Sequence, residues 1–249
     1  MTRRYNDYDP FAWLYATHWG AEYHDQAWPV LERLILRQVP RGAAILDLCC
    51  GDGRLAQVLE LKGFRVMGID GSDRMLDFAR ERCPDIEFVA ADARTFDVGR
   101  CFDAVISTFD ALNHIMTAGG LAAVCKRVHD AVKPGGYFAF DLNREEAYTD
   151  LWAQTTAQVE PDMVSLAVGS YDRAARIAYC DITLFRLCVD RWLRSDFQLS
   201  QYHHKEQDVL NSLFAAGFVE AKVFDASTDL GMYGNIGKGR SYFLARRGI

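Results

Sequence analysis

From residue 41 to 143 the hydrophobic pattern alternates between two periods. Short, nearly continuous apolar runs read as buried strands: AAILDLC (43–49), FRVMGID (64–70), IEFVAAD (86–92), CFDAVISTF (101–109) and YFAFDLN (137–143). Between them, GRLAQVLELKG (53–63), SDRMLDFARERC (72–83) and LAAVCKRVHDAV (121–132) place apolar residues at helical spacing. Gly63 closes the first helix, Ser72 caps the second with Pro84 beyond its end, and KPGG (133–136) supplies a turn before the fifth strand. Buried strands separated by amphipathic helices predict a doubly wound α/β sheet that binds its ligand at the carboxyl ends of the strands.

The flanks follow other patterns. Residues 10–38 carry the aromatic-rich helical stretches FAWLYATHW and AWPVLERLILRQV, expected to pack as a lid. Residues 161–202 alternate as antiparallel strands, in MVSLAVGSY, ARIAYCDITLFRLCV and RWLRSDFQLSQYH. QDVLNSLFAAGF (207–218) returns to a helix ending at Gly217, and VEAKVFDA (219–226) and SYFLARR (241–247) are closing strands. No linker or repeat interrupts the chain. The expectation is one domain over 1–249: a helical cap at 1–39, a core at 40–145, an antiparallel insertion at 146–205 and a closing unit at 206–249.

Composition changes this picture little. The 249 residues are 50% hydrophobic and 25% charged, an ordinary globular balance, and the net charge of −6 disfavours nucleic acid or another bulk polyanion as partner. No signal peptide opens the sequence and no apolar run is long enough to span a bilayer. The seven cysteines are scattered with no CxxC and no zinc-like Cys/His spacing, so no metal is expected. Neighbouring Cys49 and Cys50 are poorly placed to bond each other, and reduced thiols fit a cytoplasmic protein.

The chemistry concentrates at the strand ends. Gly51 and Gly53 allow a tight turn into a helix whose first N–H groups are free. A dinucleotide would place its pyrophosphate there, but Asp47 and Asp52 flank the turn and suit a cation instead. Asp70, about twenty residues on, is placed to accept ribose hydroxyls. Asp92 can accept the amine of adenine, with the Ala93 N–H donating to the ring. A nucleoside with adenine, a ribose diol, a positive centre and no phosphate is S-adenosylmethionine.

On these residues the chain resembles the class I S-adenosylmethionine-dependent methyltransferases over about 40–145. LDLCCGDG matches their glycine loop, GIDGS the acidic strand end, AADAR the adenine side, and FDAVIS and KPGGYFAF the fourth strand and the turn before the fifth. The resemblance implies a Rossmann-like seven-stranded sheet and a cofactor site of Tyr8, Asp47, Cys49, Gly51, Gly53, Asp70, Gly71, Met75, Asp92, Ala93, Thr108 and Phe109. Cys49 stands where the family carries its first glycine, which is tolerated if the backbone there is not forced to positive φ. Met75 is expected against adenine, and Tyr8 over the cofactor carboxylate.

The acceptor is harder to read. Methyl transfer from a sulfonium needs alignment and exclusion of water, and a base only if the nucleophile starts protonated. STFDALNHI offers His114 as that base and Asn113 as an acceptor contact, without the DPPY, NPPY or Pro-Cys signatures of nucleic-acid methylases. In the opening YNDYDPFAWLYATHWG, Tyr5, Tyr8, Tyr15 and Trp19 resemble the cap of small-molecule methyltransferases; Phe11, Leu14 and Tyr15 are also spaced as a buried stripe. The insertion is expected to roof the acceptor, with Tyr202 and His203, or His204, lining it. The expected activity is methylation of nitrogen or oxygen in a small metabolite, by a monomer or homodimer. The alternatives are a tRNA or protein methyltransferase using Arg144, Arg173, Arg176, Arg191 and Arg194, or a non-catalytic SAM- or NAD-binding module.

Overall fold

The computed structural model describes residues 8–249; Tyr5 lies outside them. Seven strands form one sheet: β1 (Ala44–Leu48), β2 (Arg65–Asp70), β3 (Glu87–Ala90), β4 (Phe102–Ser107), β5 (Val132–Asn143), β10 (Phe218–Asp225) and β11 (Arg240–Arg247). Their order is β10-β11-β5-β4-β1-β2-β3, parallel from β5 to β3 and antiparallel at β11 and β10. The sequential order of the strands reverses between β1 and β4, which opens a crevice at their carboxyl ends. β6 (Thr155–Glu160), β7 (Met163–Asp172), β8 (Ile177–Cys188) and β9 (Arg191–Tyr202) make a separate antiparallel sheet in sequential order. β6 escapes the hydrophobic pattern because it is an edge strand, TTAQVE, exposed along most of its length.

Each face of the large sheet has its own core. On one, Leu46, Leu48, Val105, Phe138 and Phe140 pack against α4 (Ala118–Ala131) and α5 (Glu206–Ala216), through Val124 and Val128 of the first and Val209 and Leu213 of the second. On the other, Ile45, Ala104, Ile106, Ala139 and Tyr242 meet a helical run from Ala12 to Leu36, whose central part is α1 (Gly20–Leu31). That run is therefore mostly a structural layer, and only its first turns reach the small sheet. There Phe11, Ala12 and Leu14 join Met75 and the inner residues of the small sheet, Met163, Ala167, Ile182, Leu184 and Leu199.

Two boundaries differ from expectation for local reasons. α4 begins three residues early, at Ala118, because Thr117 caps it by accepting from the Gly120 N–H at 3.0 Å; two glycines in its first turn mask the helical signal. KPGG is not a turn between elements but part of β5, whose register against β4 shifts between Phe102 and Ala104. Gly135 sits at φ +77° there, so the glycines accommodate an irregularity inside the strand.

Candidate active site

α2 (Arg54–Leu61) follows β1 through a loop that holds three left-handed residues: Cys49 at φ +60°, Gly51 at +52° and Gly53 at +77°. Cys49 thus departs from the expectation that this backbone is not forced to positive φ. A cysteine in that conformation carries strain that glycine would not. At Gly53 a Cβ would also come within 3.1 Å of the Ala79 backbone and 3.2 Å of Phe88. The loop is held from β2: Asp70 accepts the Gly51 N–H at 2.9 Å and the Ser72 N–H at 2.8 Å, one per carboxylate oxygen. Each oxygen keeps a second lone pair for a ligand hydroxyl.

The three acidic groups near the loop take different roles. Asp47 is buried with Oδ2 lacking any partner; burial, with Asp70 nearby, pushes its pKa up to about 8. A buried carboxylate in that state is relieved by a cation. Asp52, expected to share this task, is committed elsewhere: Arg54 Nε and Arg82 Nη2 pair with it at 2.9 and 2.8 Å. Asp70 is also raised by burial, against the backbone N–H groups that hold it ionised.

Beyond the loop lies a cavity of about 890 Å³, measured out to its open mouth. Cys49, Gly51, Asp70, Gly71, Met75, Asp92, Ala93, Thr108 and Phe109 all line it, together with Tyr8 and Tyr15. Met75 reaches it from the first turn of α3 (Asp73–Arg82), where its N–H donates to the Ser72 cap at 3.1 Å. Ser72 Oγ in turn donates to Asp9 at 2.5 Å, tying the amino-terminal turns to this rim. Asp92 is less available than its position suggested, since Arg94 binds its carboxylate through Nε and Nη2 and holds its pKa below the usual range. Gly53 and Asp47 support the loop and do not line the cavity. A cavity with the Asp70 carboxylate and Met75 on its walls, and the unpartnered Asp47 nearby outside its lining, fits S-adenosylmethionine; a pyrophosphate would meet carboxylates.

A second cavity lies under the small sheet, lined by Phe11, Trp19, Trp152, Gln154, Leu199 and Gln201, among others. Four residues line both cavities: Tyr8, Tyr15, Phe109 and His114. His114 is buried, and its Nε2 lies in hydrogen-bond contact with Tyr8 Oη and 3.0 Å from Gln201 Nε2. Burial lowers its pKa to about 4, against the pull of Asp110. Trp19 enters the second cavity, with Nε1 donating to Gln158 Oε1 at 3.2 Å.

Three other acceptor candidates point elsewhere. Asn113 is fully buried and saturated by backbone, donating to Asn143 O and Tyr202 O and accepting from Asn143 N. Tyr202 faces the opposite side of β9 and accepts from Arg176. His203 lies in a separate groove beside Glu145 and Glu146, with Nδ1 3.2 Å from Tyr171 Oη. Strand alternation explains this: with Leu199 and Gln201 inward, residue 202 must turn out. Gln201, one residue from the expected position, is the inward group.

The sequence also hides a buried charged network behind the shared wall. Arg240 donates to Asp110 at 2.7 Å, to Asp141, and to the Ile236 carbonyl at 2.9 Å. Tyr23 Oη donates to Asp141 at 3.0 Å and contacts Tyr242 Oη at 2.8 Å. This network holds Phe109 and Asp110 in consecutive left-handed conformations, φ +62° and +49°. Phe109 stacks flat on Tyr23 at 4.2 Å, and the Asp110 N–H donates to Asp141 at 3.0 Å. Strain of this kind persists only where the surroundings over-determine it. Two non-glycine residues at positive φ were the one local signal, and sequence does not display φ.

The arginines proposed for a nucleic-acid surface each face a carboxylate within 4 Å: Arg144 with Asp225, Arg173 with Glu145, Arg176 with Asp208, Arg191 with Asp190 and Arg194 with Asp196. Among the described residues no helix is long and apolar enough to cross a membrane.

Residues 45–136 match a family described as a methyltransferase domain. The putative methyltransferase YqeM of Bacillus subtilis is 33% identical over 139 residues, 53% of this chain and 56% of that protein. The dTDP-3-amino-3,6-dideoxy-alpha-D-glucopyranose N,N-dimethyltransferase of Streptomyces fradiae is 35% identical over 117 residues, 47% of this chain and 46% of that one. The chain thus spans about half the length of these curated relatives. In fold, a S-adenosylmethionine-dependent methyltransferase of Clostridium acetobutylicum superposes with a TM-score of 0.79 at 20% identity, covering 98% of this chain and 100% of that one. The matched segment carries the glycine loop and the Asp70 and Asp92 strand ends described above.

Proposed function

We propose that this chain transfers a methyl group from S-adenosylmethionine to a nitrogen of a small acceptor held in the second cavity. The carrying observation is that the two cavities share one wall, built from Tyr8, Tyr15, Phe109 and His114. Bound in the first cavity, S-adenosylmethionine supplies a methyl group on a positively charged sulfur, already activated for displacement. Asp70 would hold the ribose hydroxyls and Met75 the base, while Asp47, outside the cavity lining, would act on the positive end through its charge alone. The aromatic walls from Phe11, Tyr15 and Trp19 exclude water and align the acceptor, which is most of what such a displacement requires.

The choice of nitrogen over oxygen rests on His114. With a pKa of about 4 it is a weak base. An aliphatic hydroxyl gives up its proton far less readily than so weak a base can take it, so deprotonation by this ring would be strongly uphill. A neutral amine brings its own lone pair and needs only an acceptor for a hydrogen bond that strengthens as charge develops. The aminosugar substrate named for the Streptomyces fradiae relative is of this chemical class. Paired surface arginines favour a small acceptor over nucleic acid, and seven unbridged thiols suit the cytoplasm. We read residues 1–249 as one catalytic unit.

The test is turnover of S-adenosylmethionine by the intact chain with primary amines and matched alcohols of small-metabolite size, read as S-adenosylhomocysteine formed and mass gained by the acceptor. Amine methylation with alcohols inert is the expected result. Alcohol methylation would overturn the nitrogen reading, and binding of NAD without binding of S-adenosylmethionine would overturn the activity.

A further inference from the structure

Gln201 has every hydrogen-bonding position filled while lying almost wholly inside the protein, 1% exposed. Its Oε1 accepts from Asn143 Nδ2 at 3.1 Å and from Tyr148 Oη at 3.0 Å. Its Nε2 faces Asp110 Oδ2 on one side and His114 Nε2, at 3.0 Å, on the other. Asp110 is ion-paired through its other oxygen with Arg240, whose remaining donors go to Asp141 and the Ile236 carbonyl. An ion-paired carboxylate accepts and does not donate, so the atom of Gln201 facing Asp110 must be the amide nitrogen. Its second N–H then points at His114, and Nε2 of that ring must receive it through a lone pair. Tyr8, whose hydroxyl meets the same nitrogen, completes a pair of donors around it.

We infer that Gln201 is a positioning residue for methyl transfer: it passes the polarity of the Arg240–Asp110 ion pair to His114 and fixes that ring with its proton on Nδ1 and a bare Nε2 beside Tyr8. Direction travels through fixed hydrogen bonds, from a cation that cannot lose its proton to a ring that otherwise has two neutral forms of similar energy. Burial supports the same assignment by keeping the ring uncharged. The consequence falls at the shared wall. Nε2 is held unprotonated where the two cavities meet, its single lone pair facing the Gln201 N–H and the Tyr8 hydroxyl, which must then donate toward it. The Nδ1–H assignment itself is independent of the proposed function; the kinetic role of Gln201 rests on it.

The experiment is nitrogen NMR of the imidazoles in the full-length protein labelled at histidine, with His114 assigned as the ring missing in His114→Asn. The expected spectrum shows His114 protonated at Nδ1 and unprotonated at Nε2. In Gln201→Leu the second donor is gone, and the expected result is a mixture of the two neutral forms. Its kcat should fall at least ~10-fold, as supporting contacts of this kind do, with KM for S-adenosylmethionine within about twofold. A wild-type ring protonated at Nε2 overturns the inference. So does a Gln201→Leu protein that keeps the single wild-type form, or one that changes form at unchanged kcat. Because the wild-type spectrum alone decides the assignment, a variant that fails to fold leaves the inference testable. A wild-type chain that binds no S-adenosylmethionine yet shows the Nδ1–H form would overturn the proposed function and the kinetic role, and leave the assignment standing.

Discussion

The two cavities meet at one wall and are built in opposite ways. The first is made by short turns at consecutive strand ends, where Gly51, Asp70 and Asp92 each act from the place their own strand delivers them. The second gathers Phe11 and Trp19 from the amino terminus, His114 from beyond β4, Gln201 from β9 and Arg240 from β11. A site built from strand ends can recognise one ligand in many proteins. A site gathered from distant segments can change its ligand whenever one segment changes. What keeps the second site in place here is buried charge: Asp110, Asp141 and Arg240, none of them contributed by the glycine loop.

The largest expected effect tests that contrast directly. Arg240→Met leaves two buried carboxylates unpaired and should cost about 3–5 kcal/mol of stability in chemical denaturation. A loss below about 1 kcal/mol would mean that the ion cluster does not hold the second cavity together. Next in size, Asp70→Ala removes two charge-assisted hydrogen bonds that hold the loop, each worth about 1.5–3 kcal/mol. Affinity for S-adenosylmethionine should fall roughly 100-fold or more by calorimetry, and an unchanged value would place the ribose elsewhere. Tyr8→Phe acts at the boundary: kcat is expected to drop about 10-fold while cofactor affinity stays within about threefold. Loss of affinity instead would return Tyr8 to the cofactor cavity alone.

A subtler effect concerns protons. With its pKa at about 8, Asp47 is mostly protonated at pH 7, and an arriving cation should drive that proton off. Cofactor binding is therefore expected to release up to about one proton at pH 7 and to tighten as pH rises toward 8. Calorimetry in buffers of different ionisation enthalpy reads the proton directly, and Asp47→Asn should abolish it. Smallest of all, His203→Ala should leave kcat/KM within about twofold, since its ring lies in a groove away from both cavities. A larger loss would return the outer face of β9 to the acceptor site.

The same contrast decides what could be read in the chain. β1 to β5 and their helices were legible because each carries its own period and cap, and Asp70 and Asp92 were legible because strand ends are local positions. Cys49 was legible as a loop residue but not as a strained one, since left-handed φ leaves no mark on composition. Asn113, Tyr202 and His203 were plausible by residue type and misplaced by geometry. A one-residue shift along β9 exchanges Tyr202 for Gln201, and no periodicity within a half-exposed strand fixes that phase. Asp110, Asp141 and Arg240 were invisible for a further reason: they are ordinary charged letters until the fold brings residues 110, 141 and 240 together.

The small sheet invites treatment as an exchangeable part, a roof to be swapped when a different acceptor is wanted. Gln201 argues otherwise. It sits on the last strand of that roof, yet it is hydrogen-bonded to His114, Asp110, Asn143 and Tyr148 below it. A transplanted insertion would bring its own residue to that point and rewrite the protonation of a ring it was never meant to touch. Chimeras of this fold should therefore be cut before Leu199, so that Gln201 stays with the body of the protein while the rest of the roof is replaced.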